Sequence, residues 1–252
     1  SWLAMIINKL LSHLNNLSLS QLPDFINKMI DPDTFKRKEF IYKCSQESPE
    51  GSYILDAGAG QCHYKGFFNK QKYIATDLSV GDINWDYSKL DVLSNLETLP
   101  FKNNVFHSII CINVLEHVKE PFNVISEFYR VLKPGVSLYV TVPQGWWLHQ
   151  EPYDYFRYTN YGISYLLEKA HFFINDIKPT SGYFSYLANR ITFLPKALFW
   201  TIKSKIIRIL LLPFEIISYL LFVLLIPIIL NCIDGYDKQN KFTLHYMVKA
   251  SK

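Results

Sequence analysis

Charge and cysteine are the scarce commodities in this chain. Charged residues make up 19% and hydrophobic residues 49%, where an ordinary soluble domain carries about a quarter charged residues. Wholesale disorder, which needs low hydrophobicity and strong net charge, is excluded. The net charge is only +4, and Lys36, Arg37 and Lys38 form the only tight basic triplet, flanked by Asp31, Asp33 and Glu39. It reads as a solvated helix face, so no nucleic-acid partner is expected. Cys44, Cys62, Cys111 and Cys232 lie far apart, with no CxxC pair and no histidine at zinc-ligand spacing. They read as reduced, mostly buried thiols of a cytoplasmic protein, and no metal site is expected.

What is abundant is apolar. The mean hydropathy is +0.04, and the 252 residues suit one or two domains, with α/β folds often filling such a length alone. Some of this apolar surface therefore needs an address other than a core. Trp2 to Leu11 is apolar but interrupted by Asn8 and Lys9, with no small-residue cleavage site, which fits an amphipathic helix better than a signal peptide. Leucines 10, 14 and 17, then Phe25, Ile26 and Met29, keep helical spacing up to the turn Ser48-Pro49-Glu50-Gly51. Residues 1–50 are expected to form a helical cap.

Beyond the turn, short apolar runs alternate with amphipathic stretches. Strands are expected at Tyr53 to Ala57, Tyr73 to Thr76, Ser108 to Ile112 and Ser137 to Val142, with a helix over Pro121 to Leu132. Two later strands fit Phe172 to Lys178 and Phe242 to Ala250. Strands alternating with helices imply βαβ units and a parallel sheet. Directly after the first strand stands Asp56-Ala57-Gly58-Ala59-Gly60, and Asp77 ends the second, 17 residues after Gly60. Glycines there let a ligand approach the backbone, and the acidic residue is placed to accept from ribose hydroxyls. A nicotinamide oxidoreductase shares this spacing. A GxGxxG motif, however, would need glycine where His63 stands, and a nucleoside without a pyrophosphate does not need it.

The ordered blocks ILDAGAG, ATDLS, LPFKNNVFHSIICINVLEHV, EFYRVLKPG and LYVTVPQ resemble a class I S-adenosylmethionine-dependent methyltransferase, within the methyltransferase type 11 group. The match runs from about Tyr53 to Ile177, half the chain. The resemblance implies a Rossmann-like α/β fold, a mostly parallel seven-stranded sheet with helices on both faces, occupying residues 51–252. It implies S-adenosylmethionine as cofactor, with Asp56, Gly58 and Gly60 forming the loop under its methionine and ribose parts. Asp77 would hold the ribose diol and Leu78 would pack on the adenine. Asp91, after the third strand, would accept from the adenine amino group, or else cap a helix. Asn113 would lie beside the methionine moiety. Two departures, His107 in place of an aspartate and Val136 in place of a glycine, lie away from these residues.

Ligands of such sheets bind beyond the carboxyl ends of the strands. Asn113 to His117 emerges there, as does the aromatic loop from Pro143 to Thr159, which resembles a P…H…PxDxxRxT pattern found with glycan and lipid-glycan biosynthesis. Candidates for a general base are His149, His117 and Asp154, though Asp154 and Arg157 are spaced to pair with each other and hold the loop. Its aromatic residues suit sugar faces or planar rings, or a lid core.

Residues 184–234 break the pattern. From Ile209 to Leu230 the only charge is Glu215, and 22 residues are enough to cross a bilayer. Strands six and seven must pair in one sheet, so the insertion must return. Pro213 suggests the break, giving an apolar helical hairpin over about 193–211 and 214–231. Peripheral or monotopic contact with the inner face of a membrane is expected. The function expected is therefore methyl transfer, an O-methylation of a small-molecule or lipid-linked glycan acceptor. A quinone or isoprenoid ring is the alternative acceptor, and a non-catalytic cofactor-binding module is the rival class.

Overall fold

The computed structural model describes residues 23–82, 84–199, 201–202 and 204–252. The expected apolar helix at Trp2 to Leu11 lies outside them. The described chain forms two compact units. One comprises Lys36–Thr180 with Thr243–Lys252; the other comprises the described residues up to Phe35 with those of Ser181–Phe242.

The first unit is built on seven strands: β1 Tyr53–Ala57, β2 Lys72–Asp77, β3 Val92–Leu93, β4 Phe106–Ile112, β5 Leu132–Pro143, β6 Phe173–Pro179 and β7 His245–Ser251. Their order is β3-β2-β1-β4-β5-β7-β6. All pairs are parallel except those made by β7, which runs antiparallel to both neighbours. The alternation of strand side chains sorts the core into two faces. Leu55, Ile109, Leu138 and Val140 point into one cluster with Val124, Phe128, Ile163 and Leu167, which belong to helices α3 (Pro121–Val131) and α4 (Asn160–Lys169). Ile54, Ile110 and Tyr139, one residue out of phase, meet Ile41 and Cys44 on the other face. Those two belong to α2 (Pro32–Glu47).

This packing moves a boundary. Among the described residues, 23–50 do not form one cap, because most of α2 covers the sheet while α1 (Asp24–Ile30) belongs to the second unit. There, Asn231 Nδ2 donates to Met29 O at 2.8 Å and Ile30 O at 2.9 Å.

The second unit is an apolar helical hairpin. Its first arm is α5 (Tyr183–Ile191) and α6 (Leu194–Phe199). The returning arm is α7 (Lys205–Tyr219), six residues of π-helix (Leu220–Leu225) and α8 (Ile226–Cys232). α8 packs on α5 and α7 on α6. The turn therefore falls between Phe199 and Lys205, and not at Pro213, through which the helix continues. An interior proline costs about 3 kcal/mol. Here Arg208 reaches across it to Glu215, 2.9 Å away, which also neutralises the one carboxylate of the run. At the base, Asp234 accepts from Gly182 N (2.9 Å) and Ser185 N (2.8 Å), and Asp237 from Tyr183 N (2.8 Å). Two carboxylates thus cap the α5 N-terminus and close the ends of the insertion on each other.

Candidate active site

At the carboxyl end of β1 the backbone turns sharply at Gly58, whose φ is +81°. A Cβ there would lie 2.4 Å from Val114 Cγ2, so no side chain fits. At Gly60 a Cβ would meet the Trp85 ring at 3.2 Å. No full helix follows β1. The chain makes turns and only a 3-10 turn at Lys65–Phe67, so the helix N-terminus that seats a pyrophosphate is absent among the described residues.

Asp77 at the end of β2 closes this loop. Its Oδ2 accepts from Gly60 N at 2.9 Å and its Oδ1 from Ser79 N at 2.7 Å. Each oxygen keeps a further lone pair to offer a ligand. Gly58, Gly60, Asp77, Leu78 and Asn113 all line one cavity of ≈ 230 Å³. Asp56 does not. It is buried beneath the loop, where the Tyr73 hydroxyl donates to Oδ2, and burial pushes its carboxyl up to about 7. Its part is to support the loop from below.

Asp91 stands elsewhere than expected, because the third strand starts after it. β3 pairs Val92 with Thr76 and Leu93 with Asp77. Asp91 therefore precedes the strand, where its Oδ2 accepts from Ala75 N at 2.8 Å and its own N–H donates to Ala75 O at 3.0 Å. The residues that leave the carboxyl end of β3 and line the cavity are Asn95 and Leu96. Trp85 lines it as well. A lone tryptophan in a polar loop was its signal in the sequence. Asn113 adopts φ +56°, which asparagine tolerates, and its side chain is spoken for. Oδ1 accepts from Thr141 Oγ1 at 2.7 Å, and Nδ2 lies 3.3 Å from His245 Nε2.

The aromatic loop after β5 is stitched to the segment after β4. Tyr155 N donates to Glu116 O at 2.8 Å and Tyr158 Oη to Leu115 O at 2.9 Å. Arg157 takes both oxygens of Asp154 at 2.6 and 2.7 Å and also reaches the carbonyls of Trp146 and Trp147. This guanidinium holds the Asp154 carboxyl down at about 2. A carboxylate so committed is a poor base, so Asp154 is a clasp for the loop and leaves the candidate bases. Of the aromatic residues, Tyr158 enters the core, whereas Trp147, Tyr153, Tyr155, Phe156 and Tyr161 are exposed. Their exposure does not fit a lid core.

His117 lines the cavity, and His149 meets it with Nε2 3.1 Å from Nε2. Burial lowers the His117 pKa. Glu116 beside them is 1% exposed, and burial pushes its carboxyl up to about 8.

Comparison with known proteins agrees with this architecture. The Methyltransf_11 family, described as a methyltransferase domain, matches residues 55–140. An uncharacterised protein of Methanocaldococcus jannaschii is 33% identical over 100 residues, 38% of this chain and 43% of that protein. A probable S-adenosylmethionine-dependent methyltransferase of Mycolicibacterium smegmatis is 26% identical over 115 residues, 43% of this chain and 45% of that one. The chain thus spans less than half the length of these curated relatives. Among solved structures, the cyclase SpnF superposes with a TM-score of 0.55 at 18% identity, covering 86% of this chain and 80% of its own. Phosphoethanolamine N-methyltransferase 2 of Haemonchus contortus, in complex with S-adenosyl-L-methionine, gives 0.50 at 16% identity, covering 86% and 52%. These two likenesses speak to the fold. Residues 55–140 thus match a methyltransferase domain of the S-adenosylmethionine-dependent class, and S-adenosylmethionine is the cofactor of that class. The residues fit that cofactor: the glycine turns leave room that any Cβ would fill, and Asp77 is anchored with acceptor capacity to spare.

Proposed function

We propose that this protein transfers a methyl group from S-adenosylmethionine to a hydroxyl of a small-molecule or lipid-linked glycan acceptor, working at the inner face of a membrane. The single observation behind the transfer is the cavity at the strand ends, where Gly58, Gly60 and Asp77 form a nucleoside cradle with no phosphate seat. When bound, the cofactor supplies a methyl group already activated on a sulfonium. The chain's task is to align the acceptor, exclude water and accept its proton. Asp77 would hold the ribose diol, and Leu78 and Leu96 would flank the adenine. His117 stands at the cavity wall, where burial lowers its pKa. The exposed rings of Trp147, Tyr153 and Tyr155 offer flat faces of the kind that stack on sugars.

Membrane action is supported by the second unit. Ile206–Tyr236 is long and apolar enough to span a bilayer, yet only 11% of its most apolar window is buried. Ile206, Leu210, Phe214, Ile217, Leu221, Leu225 and Ile229 are all exposed, a stripe roughly 35 Å long at 1.5 Å per residue. Four-residue steps drift by roughly 40° on an α-helix, and the wider π-turns at Leu220–Leu225 take up that drift. The ends of the insertion meet at Asp234, so a single crossing does not suit it and seating within one leaflet does.

The test is transfer of labelled methyl from S-adenosylmethionine into host membrane extracts, with mass analysis of the product. Label in a lipid-soluble glycan is the expected result. Tight cofactor binding without release of S-adenosylhomocysteine in any extract would overturn the reading in favour of a non-catalytic module.

A further inference from the structure

The two histidines at the cavity rim face each other in a way that neutral imidazoles do not sustain alone. His117 Nδ1 lies 2.6 Å from Tyr153 O. His149 Nδ1 lies 3.1 Å from Trp147 O and 3.3 Å from Asp154 Oδ2. Carbonyls and carboxylates only accept, so both Nδ1 atoms carry the proton. Both Nε2 atoms then present bare lone pairs, 3.1 Å apart. Beside them the Glu116 carboxylate is fully buried, with Oε1 3.8 Å from His117 Nε2 and Oε2 without any hydrogen-bond partner. Two imidazole lone pairs thus face each other beside a buried carboxyl group, an arrangement that a cation between them would satisfy.

We propose that Glu116, His117 and His149 bind a divalent transition-metal ion of the zinc class. One ligand atom from each lies within 4.8 Å of the others. An ion about 2.1 Å from each nitrogen would subtend roughly 95° across the 3.1 Å gap, between octahedral and tetrahedral angles. Two imidazoles and one carboxylate are a donor set for Zn(II) or Fe(II) with positions left open. The second shell is already in place: both ring N–H groups are held by backbone carbonyls, the arrangement that fixes a ligating tautomer. Glu116 and His117 come from the segment after β4 and His149 from the aromatic loop, so the ion would tie the two together. Arg157 and Asp154 secure the same loop, through the His149 backbone N–H at 2.9 Å from Asp154 Oδ2. Because His117 also lines the cavity, an open position would be available to an acceptor oxygen. That last consequence rests on the methyl-transfer reading, whereas the metal site does not.

His117 and His149 are 32 positions apart and share no metal motif, so no spacing announces the site.

The experiment titrates chelator-stripped full-length protein with Co(II), following the visible d–d bands, and separately measures S-adenosylmethionine binding by calorimetry. One equivalent of Co(II) should bind and be displaced by Zn(II). His149→Ala should weaken it by at least about 100-fold, the upper end of what losing a mere second-shell partner costs, while cofactor affinity is retained. Glu116→Gln, which keeps the shape of the side chain, should do the same and serves if His149→Ala does not fold. No saturable Co(II) binding by cofactor-competent wild type would overturn the proposal and leave the pair sharing a proton. Binding that survives both substitutions would overturn it too. Protein that binds cobalt at this site yet never binds S-adenosylmethionine would instead sink the methyltransferase reading and leave the metal site standing.

Discussion

The two units take the same apolar residue types to opposite destinations. In the sheet unit Ile54, Leu55, Ile109 and Ile110 are wholly buried, because alternate side chains of each strand meet helices on alternate faces. In the hairpin unit Leu210, Phe214 and Ile229 are more exposed than not. Composition cannot distinguish these fates, but periodicity can. A run apolar all round a helix has more such surface than one core-facing stripe uses. The surplus that sets the chain's mean hydropathy above zero therefore lies in the hairpin, and the cavity lies wholly in the sheet unit. Binding chemistry and surface chemistry should then be separable by mutation.

The largest expected effect falls on the hairpin. Replacing Leu210, Phe214 and Ile217 together with serine removes three exposed side chains, each worth about 1.5–3 kcal/mol when buried in an apolar phase. Vesicle flotation should lose the protein almost completely, while calorimetric affinity for S-adenosylmethionine stays within about twofold. A parallel fall in cofactor affinity would break the separation. Next in size is Asp77→Ala in the sheet unit. Two hydrogen bonds to a charged acceptor, at about 1.5–3 kcal/mol each, predict at least a 100-fold loss of cofactor affinity, with vesicle binding unchanged. An unaltered dissociation constant would remove Asp77 from the site.

A smaller effect is a matter of pH and is confined to the sheet unit. The Asp56 carboxyl is pushed by burial from 3.8 up to about 7, so the folded chain keeps a proton there that the unfolded chain releases near 3.8. Its contribution is fully present below the unfolded value and is lost as pH rises toward about 7. Urea unfolding at pH 5 and pH 8 should show wild type losing stability over that interval by up to a few kcal/mol more than Asp56→Asn. Equal pH slopes would mean that Asp56 is ionised in the folded protein throughout.

Much of this was legible in the sequence, for physical reasons that also mark where it stopped. The strands β1, β4 and the core of β5 are apolar runs long enough to announce themselves, and the glycine turn with Asp77 carries its own steric and charge logic. What was illegible depends on pairing at a distance. Whether Pro213 ends a helix depends on Arg208 meeting Glu215 and on the neighbouring arm, so local propensity predicted a break that tertiary contacts override. The encounter of His117 with His149 depends on how a loop held by Arg157 folds back. The Asp154–Arg157 pair was visible as an i, i+3 spacing, but only its geometry showed both oxygens engaged.

The smallest expected effect falls on Asp91, at the start of β3. β3 is only two residues long, too short to leave a period in the sequence, so the sequence alone does not show that Asp91 precedes it. Asp91 works for the sheet edge. Its carboxylate satisfies the Ala75 N–H at 2.8 Å, and Asp91→Ala should cost about 1–2 kcal/mol in urea unfolding, the penalty for leaving that buried donor unpaired. Cofactor affinity should change by less than about twofold, because Asn95 and Leu96, not Asp91, line the cavity. The opposite pattern, intact stability with a tenfold weaker cofactor complex, would put the acidic adenine contact back at Asp91 and place β3 earlier in the chain than the pairing of Leu93 with Asp77 allows.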